Sequence, residues 1–267
     1  MRIVVAIKQV PETSSVRMDE ATGTMIRDGV EAIVNPLDLY AVECALRLRE
    51  TVTPPAEVVV VTMGPPRAES ALREVLAMGA DRAVLVTDKA FAGADTWSTA
   101  GVLAATLRRL QPVDLILCGE RATDGDTGQV GPGLAAFLDL PVLTYVSRLV
   151  LLAGGTCQAE RLVENGRELL TADLPAVVTV VKEIAVPRLP TLRGKQRARR
   201  AEISVWTTSD LEVPADAVGL KGSPTRVERI FRPRLTRACE VLRAGDAREV
   251  DAATDRVLAF LTERGLL

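Results

Sequence analysis

The stretch from Leu115 to Leu138 decides the fold and reads L-I-L-C-G-E-R-A-T-D-G-D-T-G-Q-V-G-P-G-L-A-A-F-L. Leu115 to Cys118 is a short apolar run between Asp114 and Gly119, which is typical of a fully buried parallel strand. Leu134 to Leu138 predicts a helix that packs back on that strand. A strand, a loop and a helix in this order form the repeating unit of an open α/β sheet, in which ligands bind beside the carboxyl ends of the strands.

The loop inside this stretch is rich in glycine and is a candidate binding site for a nucleotide phosphate. Backbone without side chains can approach a ligand closely, and the free amides at a helix start bind anions. The spacing matches neither a Walker loop nor Gly-x-Gly-x-x-Gly, so an ordinary strand-to-helix turn remains the alternative interpretation. The glycines are Gly119, Gly125, Gly128, Gly131 and Gly133, and the polar residues between them are Asp124, Asp126, Thr127 and Gln129.

The acidic residues of this loop need a role other than direct phosphate contact, because carboxylates that face a phosphate repel it. We expect Asp124 and Asp126 to accept ribose hydroxyls, to cap the helix or to brace the loop. If Asp126 or Thr127 is the N-cap, Pro132 lies about one turn inside the helix, where it removes a hydrogen bond. The sequence therefore predicts an irregular helix start.

The same alternation of strands and helices extends on both sides of this stretch. Buried strands are predicted at 2–7, 57–63, 82–87 and 141–146, and helices after Asn35-Pro36, after Gly64-Pro65-Pro66 and from Asp95 to Leu110. This rhythm predicts a doubly wound, mostly parallel sheet with helices on both faces. Residues 12–34 are predicted to form a loop or small hairpin around Thr22-Gly23. After Val146 the pattern changes to short strands at 149–152, 158–163 and 167–172, joined by hairpin turns, before a buried strand at 176–181.

The last third of the chain is polar and basic. Arg193 to Arg200 is interpreted as a solvated loop or as a docking surface for an acidic partner. A short strand at 203–206 follows, and then a proline-containing arm from Ser209 to Pro233 without its own packing. Helices predicted at 235–242 and 251–261 are too few to form an independent core. We therefore divide the chain into an α/β domain, residues 1–190, and a partner-binding part, residues 191–267.

Composition excludes several classes of function. The formal net charge is −2 and aromatic residues make up 3% of the chain, so we expect neither a nucleic-acid nor an anionic membrane partner. The chain contains no histidine, which excludes Ser-His-Asp and Cys-His catalysis and histidine-ligated metals. Its four cysteines are scattered, which suits a reducing compartment and argues against a metal site. No apolar run of about 20 residues and no signal peptide is recognisable, so we expect a cytoplasmic protein without membrane insertion.

Five fragments in register give the chain a recognisable family likeness. They are V-V-A-I-K-Q-V-P at Val4–Pro11, N-P-L-D at Asn35–Asp38, A-M-G-A-D-R at Ala77–Arg82, the glycine loop at Gly119–Pro132, and L-P-A-V-V-T-V at Leu174–Val180, with a Pro-Arg step at Pro187-Arg188 just beyond. Together they closely resemble the beta (small) subunit of electron transfer flavoproteins, nearly from end to end. Two departures are Leu189-Pro190-Thr191, where an aromatic residue is common, and the richness in arginine of the segment beyond.

The resemblance implies a heterodimer in which alpha and beta subunits carry FAD together and relay electrons between flavin dehydrogenases and an acceptor. It implies that the C-terminal arm wraps the alpha subunit and that Leu192, with Arg193 and Lys195 beside it, docks onto the dehydrogenase. It also implies an adenine-nucleotide site in this chain, and we assign no catalytic residue. The residues that match this site are Ala6, Asn35, Pro36, Leu37, Asp38, Met63, Asp124, Gly125, Asp126, Thr127, Gly128, Gln129, Val130, Gly131, Pro132, Gly133, Leu134 and Ala135.

Two versions of the family differ in the nucleotide of the beta site. Conventional carriers hold a structural AMP, whereas bifurcating types hold a second FAD there and accept hydride from NADH. The loop A-T-D-G-D-T-G-Q-V-G-P and the step Val181-Lys182-Glu183 resemble the bifurcating type. Lys8, Lys182 and Glu183 are candidates to tune a flavin, or are simply exposed charges. A stand-alone nucleotide-binding domain is a third interpretation, because the same fold serves that role.

Overall fold

A computed structural model describes residues 1–12, 17–18, 25–26, 31–228 and 239–267. Strands and helices alternate in its first half, beginning with a strand at the N-terminus. The elements are β1 (Arg2–Ala6), β2 (Gln9–Pro11), β3 (Arg17–Met18), β4 (Met25–Ile26), β5 (Ala32–Val34), α1 (Pro36–Thr51), β6 (Glu57–Met63), α2 (Glu69–Met78), β7 (Arg82–Val86), α3 (Thr96–Arg109), β8 (Leu115–Gly119) and α4 (Val130–Leu138).

The second half begins with consecutive strands and continues with helices. Its elements are β9 (Val142–Leu152), β10 (Thr156–Val163), β11 (Gly166–Asp173), β12 (Ala176–Val180), α5 (Leu192–Arg200), β13 (Ser204–Trp206), α6 (Thr208–Leu211), α7 (Gly219–Gly222) and α8 (Ala247–Glu263). By their contacts the residues fall into two compact units, Met1–Arg229 and Ile230–Leu267. The predicted division at residue 190, which assigns residues 191–267 to partner binding, stays a prediction.

Nine strands of the first unit form one sheet in the order β11-β10-β9-β12-β8-β1-β6-β7-β13. Neighbouring strands are parallel all the way from β12 through β8, β1, β6 and β7 to β13. On the other side of β12, the strands β9, β10 and β11 add an extension whose members pair antiparallel with one another. This confirms the predicted fold class. From β1 the chain first builds the sheet in one direction, through β6 and β7, and then crosses to β8 on the other side of β1. The strand order therefore reverses between β1 and β8, the kind of position where open α/β sheets bind ligands.

The sheet is buried on both faces because its central strands are continuous apolar runs. Alternate residues of one strand lie in different clusters: Val5 packs with α1 and α2 on one face, and Val4 packs with α3 and α4 on the other. Val58 to Val61 of β6 are all fully buried. Helices on both faces of a parallel sheet account for this pattern.

The prediction of the hairpin region is wrong in one respect. The predicted strands at 141–146 and 149–152 are a single eleven-residue strand, β9, which pairs in parallel with β12 and antiparallel with β10. The pairing register of the strand shifts at a bulge, and the strand continues beyond it. The predicted turn at Thr22-Gly23 lies outside the described residues, although β3 and β4 on either side of it pair antiparallel.

Two segments that the sequence predicted to lack packing of their own are packed within the first unit. The basic segment after Thr191 is the helix α5, not a loop, and it packs on α2 through the buried Ala198. The beginning of the predicted arm forms α6 and α7, which pack on α3 and bury Leu211 and Val218. The sequence prediction failed here because the few apolar residues are spaced irregularly and become buried only through tertiary contacts.

The second unit consists mainly of α8, which begins at the N-cap Asp246, whose side chain accepts a hydrogen bond from the Glu249 amide. This confirms the helix predicted at 251–261 and extends it at both ends. The other predicted helix, 235–242, is only partly within the described residues, and residues 239–242 are not helical. No residue of α8 is buried, so the described part of this unit has no core of its own.

Candidate functional site

The candidate site lies at the carboxyl edge of the sheet, beside the reversal of strand order. Ala6, Met63 and Gly119 are the last residues of β1, β6 and β8, and the glycine loop (Gly119 to Pro132) follows β8 directly. Asn35 to Asp38 begin α1 at the same edge, because the chain returns there through the short pair β2–β5. The structure therefore brings together the beginning of α1, three strand ends and the glycine loop, which the sequence separates by more than 100 residues.

Asn35 connects the start of α1 with the glycine loop. It is fully buried, and its side chain does not cap the helix as the sequence predicted. Instead, Nδ2 donates a hydrogen bond to the Arg121 carbonyl at 2.9 Å, and the Thr123 amide donates to Oδ1 at 3.2 Å. A buried amide that satisfies both its donor and its acceptor groups fixes the position of the loop backbone.

Asp38 lies beneath the site as a buried carboxyl group. The Lys8 amide donates to Oδ2 at 2.7 Å, and hydrogen bonds from the Gly119 amide and the Asn35 side chain also reach the carboxyl group. Burial raises its pKa to about 7, although these hydrogen bonds and the charge of Lys8 oppose the shift. There is no room for a side chain at residue 119, where a Cβ would come within 2.5 Å of Asp38 Oδ1.

The two aspartates of the glycine loop act as braces, one of the three roles predicted for them. The Lys8 ammonium group binds Asp124 Oδ1 at 2.7 Å, and the Arg121 guanidinium group binds Asp126 Oδ1 at 3.1 Å. Each carboxylate is thus paired with a cation of the same edge. Neither caps the following helix, because the N-cap of α4 is Gln129.

The start of α4 has unfilled hydrogen-bonding capacity. The helix begins at Val130, and no side chain caps it. Pro132 is therefore in the first turn, where it has no intrahelical bond to remove, and the predicted irregular start is wrong. The free amides of a first helical turn and the positive end of the helix dipole together favour an anion. Thr96, in the first turn of α3, hydrogen-bonds Thr127 at 3.3 Å and links the loop to its neighbouring helix.

The glycines of α4 pack the helix against its neighbours. A Cβ at Gly131 would overlap the Thr179 methyl group on β12, and one at Gly133 would lie 2.9 Å from Ala100 on α3. Gly131 is buried, so its function here is close helix–strand packing rather than open access for a ligand. Gly125, in contrast, has no atom within 4 Å of the position of a Cβ. Leu134 and Ala135 lie in the hydrophobic core, with their side chains packed among those of β8 and α3.

Tyr145 and Thr179 are residues of this edge that the sequence did not indicate. Tyr145 is 46% exposed and has a left-handed backbone with φ of 56°, which is unusual for an aromatic residue within a strand. Its amide donates to Thr179 Oγ1 at 3.2 Å. A local sequence pattern could not reveal it, because the irregularity arises from pairing with β12, 34 residues away.

The predicted partner-binding residues lie on α5 and the segment before it. Leu192 is 82% exposed, and Val186 and Leu189 are exposed to a similar degree. Arg193 and Lys195 are also on the exposed side of α5, whereas Arg197 donates to the carbonyl groups of Leu76 and Ala80 and so anchors the helix. Lys182 and Glu183 are exposed in a short 3₁₀ turn after β12.

Other features limit the chemistry of the site. Within the described ranges, no cluster of histidine, cysteine, aspartate or glutamate could hold a metal ion. No described helix combines the length and the apolar character that crossing a bilayer would need. The cysteines are free thiols, and all except Cys239 are buried. The described residues of the edge offer a ligand the backbone amides at the start of α4 and an ordered loop.

The fold and this edge define a doubly wound α/β protein with a braced glycine loop at the reversal of its strand order. The chain matches the electron transfer flavoprotein domain over residues 22–211, and it belongs to this family. It is 46% identical to an electron transfer flavoprotein subunit beta from Thermoanaerobacterium thermosaccharolyticum, over 96% of this chain and 98% of the relative. It is 44% identical to the caffeyl-CoA reductase-Etf complex subunit CarD of Acetobacterium woodii (94% and 95%). It is 42% identical to protein FixA of Azotobacter vinelandii (98% and 95%).

These comparisons confirm the resemblance to an electron transfer flavoprotein beta subunit. The family implies association with a flavin and with an alpha subunit.

Proposed function

We propose that this beta subunit holds FAD at the carboxyl edge of its sheet and, with its alpha subunit, relays electrons between NADH or flavin dehydrogenases and an acceptor. One observation carries the proposal most directly: the uncapped first turn of α4 follows a glycine loop that Asn35 and two ion pairs hold in place. An ordered loop before free helix amides is suited to the phosphates of a nucleotide.

The residues of this edge fit such a group. The amides at the start of α4 would hold the phosphates, and the open space around Gly125 lets a ligand approach the loop backbone. Ala6, Met63 and the segment 35–38 match the adenine-nucleotide contacts of the family and lie at the same edge. FAD, when bound, supplies the redox chemistry by taking up and releasing electrons, and the protein positions it and sets its potential.

The sequence of the loop favours FAD over AMP in the beta site. A-T-D-G-D-T-G-Q-V-G-P and Val181-Lys182-Glu183 resemble bifurcating forms, while conventional carriers read closer to I-D-D-D-C-N-Q-T-G-Q. In this proposal NADH reduces the beta-site flavin only in the complex with the alpha subunit. AMP in a conventional carrier is the principal alternative, and family membership argues against a stand-alone nucleotide-binding domain.

Partner binding is assigned to two segments. The exposed Val186, Leu189 and Leu192 would enter an apolar cleft of a flavin dehydrogenase, with Arg193 and Lys195 at the rim beside them. Apolar centres with charged rims are typical of specific interfaces. The unit Ile230–Leu267, whose described residues lack a core, would pack on the alpha subunit.

The decisive experiment measures the nucleotides of the purified heterodimer. The chain is co-expressed with its alpha subunit, the complex is denatured, and the released nucleotides are separated by chromatography and quantified. We expect two FAD per heterodimer and bleaching of flavin absorbance on anaerobic addition of NADH. One FAD with one AMP, and no reaction with NADH, would establish the carrier alternative. A complex with a single FAD and no second nucleotide would overturn the assignment of the beta site.

A further inference from the structure

An irregularity of β9 lies beside the glycine loop. Leu143 pairs with Val178 and Val146 pairs with Val180, so two residues of β9, Thr144 and Tyr145, lie opposite the single residue Thr179 of β12. This is a β-bulge in a parallel pair, which is uncommon. Bulges of this kind occur beside functional sites, where they redirect a side chain.

The backbone at the bulge is strained at Tyr145. Tyr145 has φ of 56°, a conformation that glycine or asparagine adopts at lower cost than an aromatic residue. The Thr179 hydroxyl group stabilises this conformation by accepting the Tyr145 amide hydrogen bond at 3.2 Å. A bulky residue in such a position points to a function for its side chain.

The side chain of Tyr145 reaches the glycine loop. Its hydroxyl oxygen is 3.9 Å from the position that a Cβ would have at Gly128, which itself has φ of 63°. The ring is nearly half exposed, and among the described residues its hydroxyl group has no hydrogen-bond partner. Thr179 also contacts Gly131 of α4, so the bulge, the loop and the helix start form one connected unit.

We propose that Tyr145 is a ligand-contacting residue whose ring packs against the flavin ring of the FAD bound at this edge. The inference rests on the proposed function and adds a residue that distinguishes a dinucleotide from AMP. The strands lie in the order β6-β1-β8-β12-β9, so Tyr145 is three strands from Ala6 and four from Met63. At about 4.8 Å per strand, this is roughly 14 to 19 Å, and Tyr145 therefore lies on the far side of the start of α4 from Ala6 and Met63, where the part of a dinucleotide beyond its phosphates would lie.

The test uses substitutions at Tyr145 in the complex with the alpha subunit. Tyr145→Gly removes the ring and relieves the strained φ, so we expect an unchanged or higher melting temperature for the nucleotide-free complex. FAD affinity at the beta site should fall about three- to tenfold, the range of an aromatic pair. The visible absorption spectrum of the bound FAD should shift, and the affinity for AMP should stay within twofold of wild type. Tyr145→Phe keeps the ring and should keep FAD affinity within twofold.

A matched control separates strain relief from ligand contact. Asp139, the C-cap of α4, has nearly the same positive φ, 54°. Asp139→Gly should likewise leave the melting temperature unchanged or raise it, without changing the FAD affinity or the spectrum of the bound FAD.

Three results would overturn the inference. Wild-type FAD affinity and spectrum in Tyr145→Gly would show that the ring does not contact the flavin. Weakened association with the alpha subunit at unchanged FAD affinity would assign Tyr145 to the subunit interface. A wild-type complex that contains AMP and binds no FAD at the beta site would remove the proposed function as well, whereas the first two outcomes leave that function intact.

Discussion

Arg188 and Glu43 are 145 residues apart in the chain and form an ion pair in which Glu43 is buried and Arg188 partly exposed, and this pair fixes the segment after β12 onto α1. The Arg188 guanidinium group donates to both carboxylate oxygens of Glu43, at 2.8 and 3.1 Å, and its amide donates as well at 3.1 Å. A further hydrogen bond reaches Glu50 at 2.7 Å. Val186, Leu189 and Leu192 therefore extend from an anchored base rather than from a free loop.

Replacing Arg188 should destabilise the first unit. Glu43 is only 3% exposed at its side chain, and removal of its main partner leaves a buried charge. Because Arg47 still pairs with Glu43, we expect Arg188→Ala to lower the free energy of unfolding by about 2–3 kcal/mol. Arg47→Ala is the control. Because Arg47 is half exposed, its replacement should lower the free energy of unfolding by less than ~1 kcal/mol. Equal losses for the two variants in urea unfolding would argue against an anchoring role for Arg188.

This pair also predicts a dependence on acid. Burial raises the pKa of Glu43, but hydrogen bonds from Arg188 and Arg47 outweigh it, and the net pKa lies below the ordinary value of 4.5. A carboxyl group with a lowered folded-state pKa stabilises the protein at pH values above its ordinary pKa. This stabilisation is lost as the pH falls through the folded-state pKa. The difference in stability between wild type and Arg188→Ala should therefore shrink below pH ~4.5.

Asp38 predicts a pH effect of the opposite sign. Burial raises its pKa from 3.8 to about 7, so the unfolded chain loses this proton at lower pH than the folded one. Stability should fall as the pH rises from about 4 to about 7 and change little above that value. Asp38→Asn cannot ionise and should flatten this slope, measured by urea unfolding at closely spaced pH values. Parallel profiles for the two proteins would mean that Asp38 does not titrate in this interval.

The sequence predicted those features that local patterns determine. Buried apolar runs located β1, β6, β7 and β8, and Asn35-Pro36 located the start of α1, because these signals act within a few residues. The alternation of strands and helices then predicted a doubly wound, mostly parallel sheet. The fold class and the family likeness were therefore both accessible from the sequence.

Features that depend on distant contacts were not accessible in this way. The bulge at Tyr145 exists only in the pairing of β9 with β12, and α5 is helical although its composition suggested a loop. Arg197 illustrates the reason, because its guanidinium group donates to the carbonyl oxygens of Leu76 in the last turn of α2 and of Ala80 just after it, more than 100 residues earlier. Likewise, the spacing of Gly131 suggested ligand access, whereas its neighbour in space is Thr179.

The contact between Gly131 and Thr179 gives a prediction with a rescue. A Cβ at residue 131 would overlap the Thr179 methyl group, so Gly131→Ala should destabilise the protein by about 1–3 kcal/mol. Thr179→Ser removes that methyl group and keeps the hydroxyl group that accepts the Tyr145 amide. The double variant should recover at least half of the loss, and the coupling is measured by a double-mutant cycle.

Gly125→Ala is the matched control in the same loop, because open space surrounds the position of its Cβ. It should change stability by less than about 0.5 kcal/mol. Additive effects of Gly131→Ala and Thr179→Ser, without recovery, would show that the helix adjusts to the added methyl group in another direction.

Leu192 separates partner binding from folding. Its side chain is 82% exposed at the start of α5, and the Thr191 side chain caps the helix independently by accepting the Gly194 amide at 2.9 Å. Leu192→Ala should therefore leave the free energy of unfolding within about 0.5 kcal/mol of wild type. If Leu192 enters an apolar cleft of a flavin dehydrogenase, the variant should dissociate from that enzyme faster by about tenfold or more.

Arg193 and Lys195, which lie beside Leu192 on α5, should affect the rate of association with the dehydrogenase rather than the rate of dissociation. Arg193→Gln should lower the association rate at low salt, and the difference from wild type should fade as the ionic strength approaches 0.5 M, because salt screens exposed charges. Both rates are measured by stopped-flow or surface plasmon resonance with the complete heterodimer. Unchanged dissociation in Leu192→Ala would exclude Leu192 as the anchor, and an association rate that is independent of salt would exclude electrostatic steering by α5.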